Sequence, residues 1–352
     1  MELEKIVTPL LHWFGENARL LPWRDEPTAY RVWVSEIMLQ QTRVETVKPY
    51  FERFLTALPD VKALAEVPQD ILLKLWEGLG YYNRVRNMQK CAQEVMARYD
   101  GRFPADYQAL LSLPGIGPYT AGAVASIAFG LPVPAVDGNV LRVITRLTAN
   151  GADITKEAVK KEITSQVAAI LPHPMTGAFN QSLMELGAII CLPNGTPLCS
   201  QCPLEMLCEA RRQGNMLHYP VKGAKKPRRQ EERMVFLLFC GDQVALCKRP
   251  DKGLLAGLWE FPQQEGTDVA EALTSLGYEG TTVYRLPQAK HIFTHIEWHM
   301  TGYGGIVPHK LPSFTWVSAQ QLQKEYPLPS AFRVYRQEAL RQLEGIAFLG
   351  RA

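Results

Sequence analysis

The chain has 352 residues, 47% hydrophobic and 21% charged, and its formal net charge of +3 at pH 7 permits nucleic-acid binding without arguing for it. This length predicts two domains. The apolar runs are too short to span a membrane, and the start MELEK is unlike a signal peptide, so we expect a cytoplasmic protein without membrane association.

Residues 1 to about 215 show the pattern of a helical region. In 59–80 and 154–172 apolar residues recur at helical spacing, and Gly or Pro ends each run. The stretch 219–233 carries two prolines, one glycine and six Lys/Arg, which is typical of an interdomain linker. We therefore predict a helical domain over 1–218, a basic linker over 219–232 and a second domain over 233–352.

Glu36 stands inside an apolar run, VWVSEIMLQQT (32–42). If the segment is one helix, Glu36, Gln40 and Arg43 share a face, and spacing alone favours an exposed glutamate paired with Arg43. Burial among these apolar residues would instead let Glu36 keep its proton near neutral pH, because desolvation disfavours the charged form.

A glycine-rich turn, LPGIGPYTAG (113–122), separates two predicted helices. Gly115 and Gly117 allow positive φ and close backbone approach, so amide groups can face an anion at the N-terminus of the next helix. A helix rather than a strand precedes the turn, which argues against a dinucleotide-binding unit. The pattern favours a helix-hairpin-helix that holds a DNA phosphate, although two glycines alone also fit an ordinary tight turn.

Asp137 precedes a helix that we expect to begin near Val140, within VDGNVLRVITRL (136–147). Taken alone, this position favours a helix N-cap. The functional interpretation is a carboxylate at the far end of the hairpin, near a bound sugar-phosphate.

Four of the seven cysteines fall within one short segment: Cys191, Cys199, Cys202 and Cys208. In a reducing compartment such a cluster indicates a metal site before disulfides. Four thiolates hold zinc or an iron–sulfur cluster. A zinc ribbon usually has two Cys-x2-Cys pairs and only one is present here, which favours a 4Fe–4S cluster.

Beyond residue 233 the hydrophobic period changes to two, which predicts an α+β domain. We expect a β-hairpin over 234–250, further strands in 257–264, 281–286 and 314–318, and helices over 268–277 and 330–345.

Together these features resemble the helix-hairpin-helix DNA glycosylase superfamily, most closely the adenine DNA glycosylases of the MutY type, which remove adenine mispaired with 8-oxoguanine. The matching segments cover nearly the whole first domain: LPWR (21–24), VWVSEIMLQQTRVETV (32–47), GLGYYNRVRN (78–87), LPGIGPYTAG (113–122), DGNVLRV (137–143), FNQSLMELGA (179–188) and the four cysteines.

Endonuclease-III-like relatives share the hairpin, the aspartate and the cluster, so these features do not decide the substrate. Those relatives carry a nucleophilic lysine where this chain has Tyr119, and they lack both a glutamate at the position of Glu36 and the second domain. The first cysteine gap has seven residues here against six in the family, and a turn in NGTP (194–197) is expected to absorb the extra one.

The resemblance implies that Glu36 protonates adenine at N7 while ionised Asp137 faces C1′ of the sugar. Tyr119 and Asn139 would orient these groups and the attacking water. The resemblance also implies substrate or DNA contacts by Trp23, Arg24, Gln40, Gln41, Tyr81, Gly115, Gly117 and Glu185.

GLLAGLWEFPQQ (253–264) resembles the start of a Nudix (MutT-like) domain. A Nudix hydrolase needs a glutamate-rich helix that holds magnesium, and residues 268–277 offer only Asp268 and Glu271. We therefore predict a recognition module rather than a pyrophosphate hydrolase.

Three histidines recur every fourth residue in KHIFTHIEWHM (290–300). The nearby β-branched and aromatic residues favour extended chain, in which residues four apart lie ~13 Å from each other and cannot share an ion. The resemblance implies that Phe293, Thr294 and His295 read 8-oxoguanine, where the family has Phe-Ser-His. The alternative is an ordinary Thr-His pair on a sheet.

We therefore predict a monomeric, monofunctional, base-flipping glycosylase with a 4Fe–4S cluster, acting at the nucleoid on double-stranded DNA with an adenine:8-oxoguanine or adenine:guanine mispair. Two alternatives are an endonuclease-III-like glycosylase/lyase for damaged pyrimidines and a non-catalytic iron–sulfur DNA-binding protein. Tyr119 argues against the first, and Glu36 together with Asp137 argues against the second.

Overall fold

The computed structural model describes residues 2–224 and 227–349. These residues fall into two compact units, one within Met1–Glu66 and Arg86–Ala224, the other within Val67–Val85 and Lys225–Ala352. Among them, no helix is long and apolar enough to cross a membrane.

The predicted helical first region is confirmed. Its α-helices, in chain order, are α1 (Val7–Asn17), α2 (Pro22–Asp25), α3 (Ala29–Leu39), α4 (Val44–Ala57), α5 (Val61–Glu66), α6 (Gln69–Leu75), α7 (Asn83–Tyr99), α8 (Tyr107–Leu111), α9 (Pro118–Phe129), α10 (Gly138–Thr148), α11 (Glu157–Ala168), α12 (Thr176–Ile189) and α13 (Glu209–Arg212). Short 3-10 turns lie at Leu3–Ile6, Cys199–Gln201, Glu205–Leu207 and Met216–His218.

Helices α10 and α12 pack closely in the core of the first unit, which α1 and α11 complete with residues such as Leu10 and Ile163. The closeness depends on Gly187, since a Cβ atom there would lie 2.6 Å from the Cβ of Asn139. Two non-bonded carbon atoms repel each other strongly at this distance, and the close-packed interior leaves neither helix room to move away. Gly187 therefore lets α12 support Asn139 directly.

The segment 32–42 is not one continuous helix. Helix α3 ends at Leu39, and Gln41 adopts a left-handed conformation with φ of 58°, which a continuing α-helix excludes. Arg43 is the N-cap of α4. The expectation that Glu36, Gln40 and Arg43 share one helical face is therefore wrong.

The second unit contains a mixed sheet, as the predicted α+β domain requires. Its elements after α13 are β1 (Arg229–Cys240), β2 (Gln243–Lys248), β3 (Trp259–Glu260), β4 (Gln263–Glu265), α14 (Val269–Ser275), β5 (Tyr284–Ile292), β6 (Ile296–Ile306), β7 (Thr315–Val317), α15 (Ala319–Lys324), a 3-10 turn at Ser330–Phe332 and α16 (Arg333–Leu349). The strand order is β3-β2-β1-β6-β5, with β4 paired to β1 and β7 to β2.

The predicted hairpin is confirmed, since β1 and β2 are antiparallel with Cys240 opposite Gln243. From Met234 to Phe239, β1 is apolar on both faces because each face covers a core. Val235 and Leu237 pack with residues of α16, whereas Phe236 and Leu238 pack with residues of α14. Strands buried on both faces are expected to form continuous apolar runs of this kind.

Residues 290–300 are largely extended, as predicted, and a turn interrupts them. β5 ends at Ile292 and β6 begins at Ile296, so residues 293–295 form the connection. The expected strand over 281–286 instead begins at Tyr284 and runs on to Ile292, and the regular helix expected from residue 330 begins at Arg333.

Candidate active site

A cavity of about 690 Å³ in the first unit brings together most of the residues predicted for the site. This volume lies within the ~300–1,000 Å³ typical of small-molecule sites. The predicted residues that line it are Trp23, Arg24, Glu36, Gln40, Gln41, Tyr119, Asp137, Asn139 and Glu185.

Glu36 projects from α3 and is only 7% exposed. Burial raises the pKa of Glu36 to about 7, although the hydroxyl of Tyr119, which donates a hydrogen bond to Oε2, acts in the opposite direction. The negative charge of Asp137 raises the pKa of Glu36 further, and Arg24 lowers it. Glu36 is therefore a carboxyl group that changes protonation state near neutral pH. It is not the exposed partner of Arg43 that spacing favoured.

Asp137 is the N-cap of α10, as its position predicted, and it also lines the cavity. Oδ1 accepts hydrogen bonds from the amides of Asn139 and Val140, both at 2.8 Å, and Oδ2 accepts one from Nδ2 of Asn139 at 2.6 Å. Burial raises the pKa of Asp137 above its usual value, although these hydrogen bonds and the nearby Arg142 act in the opposite direction. Three donors make Asp137 a better-stabilised anion than Glu36, which accepts from Tyr119.

Glu185 is held as an anion by two arginines. Its carboxylate accepts hydrogen bonds from Nε of Arg19 at 2.7 Å and from a terminal nitrogen of Arg24 at 2.9 Å. Burial opposes ionisation, but these hydrogen bonds prevail and lower the pKa of Glu185 to about 2. Sequence reasoning missed Arg19, which precedes the LPWR segment and carried no motif of its own.

Sequence reasoning also missed Arg142, which connects the active-site residues to the cysteine loop. Its guanidinium donates to Oδ1 of Asn139 at 2.8 Å, to the carbonyl of Gly187 at 2.7 Å and to the carbonyl of Cys191 at 2.8 Å. The contact with Asn139 could have been predicted from the sequence, because Arg142 lies three residues later and residues three apart are neighbours on a helix surface.

The two hairpin glycines have different roles. Gly115 has φ of 75°, and a Cβ atom there would lie 2.7 Å from the Cβ of Asn87, so both conformation and space require glycine. Gly117 is the N-cap of α9 with φ of −90°, so the positive φ that the sequence suggested for it is absent. The turn starts α9 and so directs Tyr119 into the cavity.

Gln41 and Tyr81 share an unusual backbone conformation. Gln41 has φ of 58° and Tyr81 has φ of 47°. Left-handed conformations of this kind cost of order 1–3 kcal/mol in residues other than glycine and are often retained at functional sites. Tyr81, in the second unit, exposes half of its side chain.

The four clustered cysteines line a single small cavity of about 30 Å³ in the first unit. One water needs ~10–15 Å³ on the same measure, so the space between the cysteines is larger than a single water requires. The longer first gap is accommodated by a loop in which Gly195 has φ of 72°, and which closes where the amide of Leu198 donates to the carbonyl of Ile190 at 2.9 Å. Within the described ranges, no three Cys, His, Asp or Glu side chains converge on a single-ion site.

Phe293, Thr294 and His295 form the turn between β5 and β6 in the second unit. Phe293 anchors the turn, since its ring meets that of Trp298 edge-on at 4.9 Å and its amide donates to the carbonyl of Ile296 at 2.8 Å. Thr294 and His295 are exposed. The turn therefore exposes two hydrogen-bonding side chains, and the packed ring of Phe293 holds it in place.

Asp268 acts as a helix cap in the second unit. Its carboxylate accepts hydrogen bonds from the amides of Ala270 and Glu271 and so starts α14. Of the two acidic residues that this segment offers in place of a glutamate-rich magnesium site, Asp268 therefore has a structural role.

Two parts of the chain match known protein families. Residues 34–169 match the HhH-GPD superfamily base excision DNA repair protein family, and residues 234–338 match the NUDIX domain family. The chain is 34% identical to the adenine DNA glycosylase of Homo sapiens, over 93% of this chain and 73% of that protein. It is 36% identical to the adenine DNA glycosylase of Buchnera aphidicola from Schizaphis graminum, over 72% of this chain and 73% of that protein.

Two solved structures resemble the first part of the chain. A thermostable thymine-DNA glycosylase matches with a TM-score of 0.54 and 29% identity, covering 60% of this chain and 97% of that one. A trapped covalent intermediate of endonuclease III with DNA matches with a TM-score of 0.51 and 26% identity, covering 61% of this chain and 99% of that one.

Proposed function

The chain belongs to the adenine DNA glycosylase family, and we propose that it is a monomeric, monofunctional enzyme that hydrolyses the N-glycosidic bond of adenine mispaired with 8-oxoguanine or guanine in double-stranded DNA. The observation that carries this proposal is the buried carboxyl of Glu36, with a pKa of about 7, in the same cavity as Asp137. Cleavage of a glycosidic bond commonly uses two carboxyl groups, one protonated to act as the acid and one ionised to stabilise the sugar cation.

Glu36 would act as the general acid. Adenine leaves badly as an anion, so its ring must gain a proton, and N7 is the accessible nitrogen. A carboxyl group with a pKa of about 7 still holds its proton in much of the population at neutral pH. It can also transfer that proton readily, since general acids work best when their pKa is near the working pH.

Asp137 would stabilise the positive charge that develops at C1′ as the bond breaks, either electrostatically or as a transient nucleophile. Its three hydrogen bonds from Asn139 and Val140 favour the ionised carboxylate against the effect of burial, and they hold its direction. Preorganised charge of this kind is effective in a cavity that excludes water. Tyr119 would orient Glu36, and Asn139 would orient Asp137 and the attacking water.

The remaining lining residues would hold the base. Trp23 supplies an apolar wall that is itself packed edge-on against Phe51 at 5.4 Å. Glu185 fixes the direction of Arg24, and Arg24 and Gln40 would offer hydrogen bonds to the purine edge.

Adenine inside a duplex cannot reach such a cavity, so the base must leave the stack. The family resemblance assigns Gln41 and Tyr81 to the opened duplex, and both hold left-handed conformations of the kind often retained at functional sites. Gly115 and Gly117, at the start of α9, would let backbone amides bind a DNA phosphate.

The absence of strand cleavage follows from Tyr119. A glycosylase/lyase attacks the sugar with an amine and retains the product as a Schiff base. The hairpin position that carries the lysine of the endonuclease-III-like relatives holds a phenol here, and this phenol donates to Glu36. Water therefore completes the hydrolysis, and the product is an intact strand with an abasic site.

Cys191, Cys199, Cys202 and Cys208 would hold a 4Fe–4S cluster. The four cysteines line one shared cavity, and their spacing, with a single Cys-x2-Cys pair, favours the cluster over a zinc ribbon. The cluster would brace the loop that is tied to Asn139 through Arg142.

The second domain would read the base opposite adenine. Thr294 and His295 are exposed on the turn anchored by Phe293, and they can donate and accept the hydrogen bonds that distinguish 8-oxoguanine from guanine. For the whole chain we propose a helical glycosylase domain over 1–218, a linker over 219–232 and the recognition domain over 233–352.

The test is incubation with duplexes carrying adenine opposite 8-oxoguanine, guanine or thymine, with and without alkali. We expect abasic sites opposite 8-oxoguanine first and guanine second, with strand breaks only after alkali. Breaks without alkali would contradict monofunctionality, and intact adenine opposite 8-oxoguanine would contradict the substrate. Glu36→Gln should abolish excision and keep duplex binding, while Glu52→Gln, on the exposed side of α4, should leave both unchanged.

A further inference from the structure

The active-site cavity is lined by four cationic side chains, Arg19, Arg24, Arg142 and Lys222. The first two are bound to Glu185. Arg142 is bound to backbone carbonyls and to Asn139. In the described part of the chain Lys222 has neither a hydrogen bond nor an ion pair, so its charge is available to a ligand.

The backbone on both sides of Lys222 is anchored to the loop before α11. The carbonyl of Val221 accepts a hydrogen bond from the amide of Ile154 at 3.1 Å, and the amide of Gly223 donates to Oδ1 of Asp153 at 3.1 Å. Contact is close at Gly223, where a Cβ atom would lie 2.9 Å from Oδ2 of Asp153. These contacts hold the first residues of the linker against the first unit and keep Lys222 at the cavity.

We propose that Lys222 binds a backbone phosphate beside the nucleotide whose base occupies the cavity. This inference rests on the proposed function, since a flipped nucleotide brings a phosphate on each side of its sugar. Carboxyl groups such as Glu36 and Asp137 cannot attract that phosphate, and the three arginines are already bound internally. An ammonium on a flexible stem is well suited to bind phosphate as a point charge. The start of the linker is then part of the DNA-binding surface.

The experiment measures Kd for two duplexes of one sequence, one fully paired and one with a tetrahydrofuran abasic analogue opposite 8-oxoguanine, over a range of salt concentrations. For Lys222→Gln we expect the Kd of the abasic duplex to rise about fivefold, as for the loss of one ion pair made by an exposed side chain. The slope of log Kd against log salt should fall by about 0.9, as for one lost phosphate contact. The Kd of the paired duplex should change less than twofold.

Two variants serve as controls. Lys222→Arg should keep the wild-type Kd and slope, and Lys161→Gln removes an exposed charge from α11 without touching the cavity, so it should also bind like wild type. Wild-type Kd and slope in Lys222→Gln, or equal weakening for both duplexes, would overturn the inference alone. A wild-type chain with no preference for the abasic duplex would overturn the proposed function together with the inference.

Discussion

Replacing Tyr119 by Phe should move the alkaline limb of the pH–activity profile to higher pH. Glu36 is active when protonated, so wild-type excision should be highest below pH 7 and fall as pH rises through its pKa of about 7. The Tyr119 hydroxyl donates to this carboxyl and so favours its ionised form. Loss of the hydroxyl therefore stabilises the protonated acid and raises the pKa of Glu36 further.

The size of the shift follows from the strength of this hydrogen bond. A hydrogen bond to a charged group contributes ~1.5–3 kcal/mol, and ~1.36 kcal/mol corresponds to one pKa unit. The alkaline limb of the profile should therefore move to higher pH by about one to two units. At pH 8 about a tenth of wild-type Glu36 would be protonated, against half or more in the variant.

The assay is single-turnover adenine excision between pH 5.5 and 9, with each profile normalised to its own maximum. Normalisation separates the pKa shift from any loss of absolute rate, since Tyr119 also orients the acid. Tyr30→Phe is the matched control, because it removes another buried hydroxyl, one that donates to the carbonyl of Leu58 and does not line the cavity. A limb that stays in place or moves to lower pH in Tyr119→Phe would refute the coupling of Tyr119 to Glu36.

Three further predictions concern stability and the cluster. The pKa of Glu36 is about 7 in the folded chain, well above its usual value, so stability should fall as pH rises from about 4.5, where the unfolded chain begins to ionise, to about 7. Glu36→Gln should therefore raise the free energy of unfolding by ~3 kcal/mol at pH 8 and very little at pH 4, measured by urea denaturation. Glu185→Gln should lower it by ~2–4 kcal/mol, because buried charges lose their partner, whereas Glu157→Gln, in an exposed pair, should cost less than ~1 kcal/mol. Cys202→Ser should lose iron and visible absorbance, while Cys240→Ser, outside the cluster cavity, should retain both; zinc in the wild type by elemental analysis would contradict the cluster.

Several features of this protein were determined locally and could be predicted from the sequence. The N-cap role of Asp137 needed only its own side chain and the next three residues. The hairpin of β1 and β2 needed a period of two and a two-residue turn. Likewise, the close spacing of the four cysteines was enough to predict that they lie together, and they line one cavity.

The state of Glu36 was decided by the tertiary structure. Its neighbours in sequence favoured an exposed pair with Arg43, but α3 ends before that face can form. Its actual partner is Tyr119, 83 residues away, and its pKa depends on burial beneath other elements. Glu185 is equally dependent on distant residues, since Arg19 lies 166 positions from it. Helix and strand periods depend on neighbouring residues, whereas desolvation and charge depend on every group that packs nearby, so only the folded chain determines which carboxyl keeps its proton.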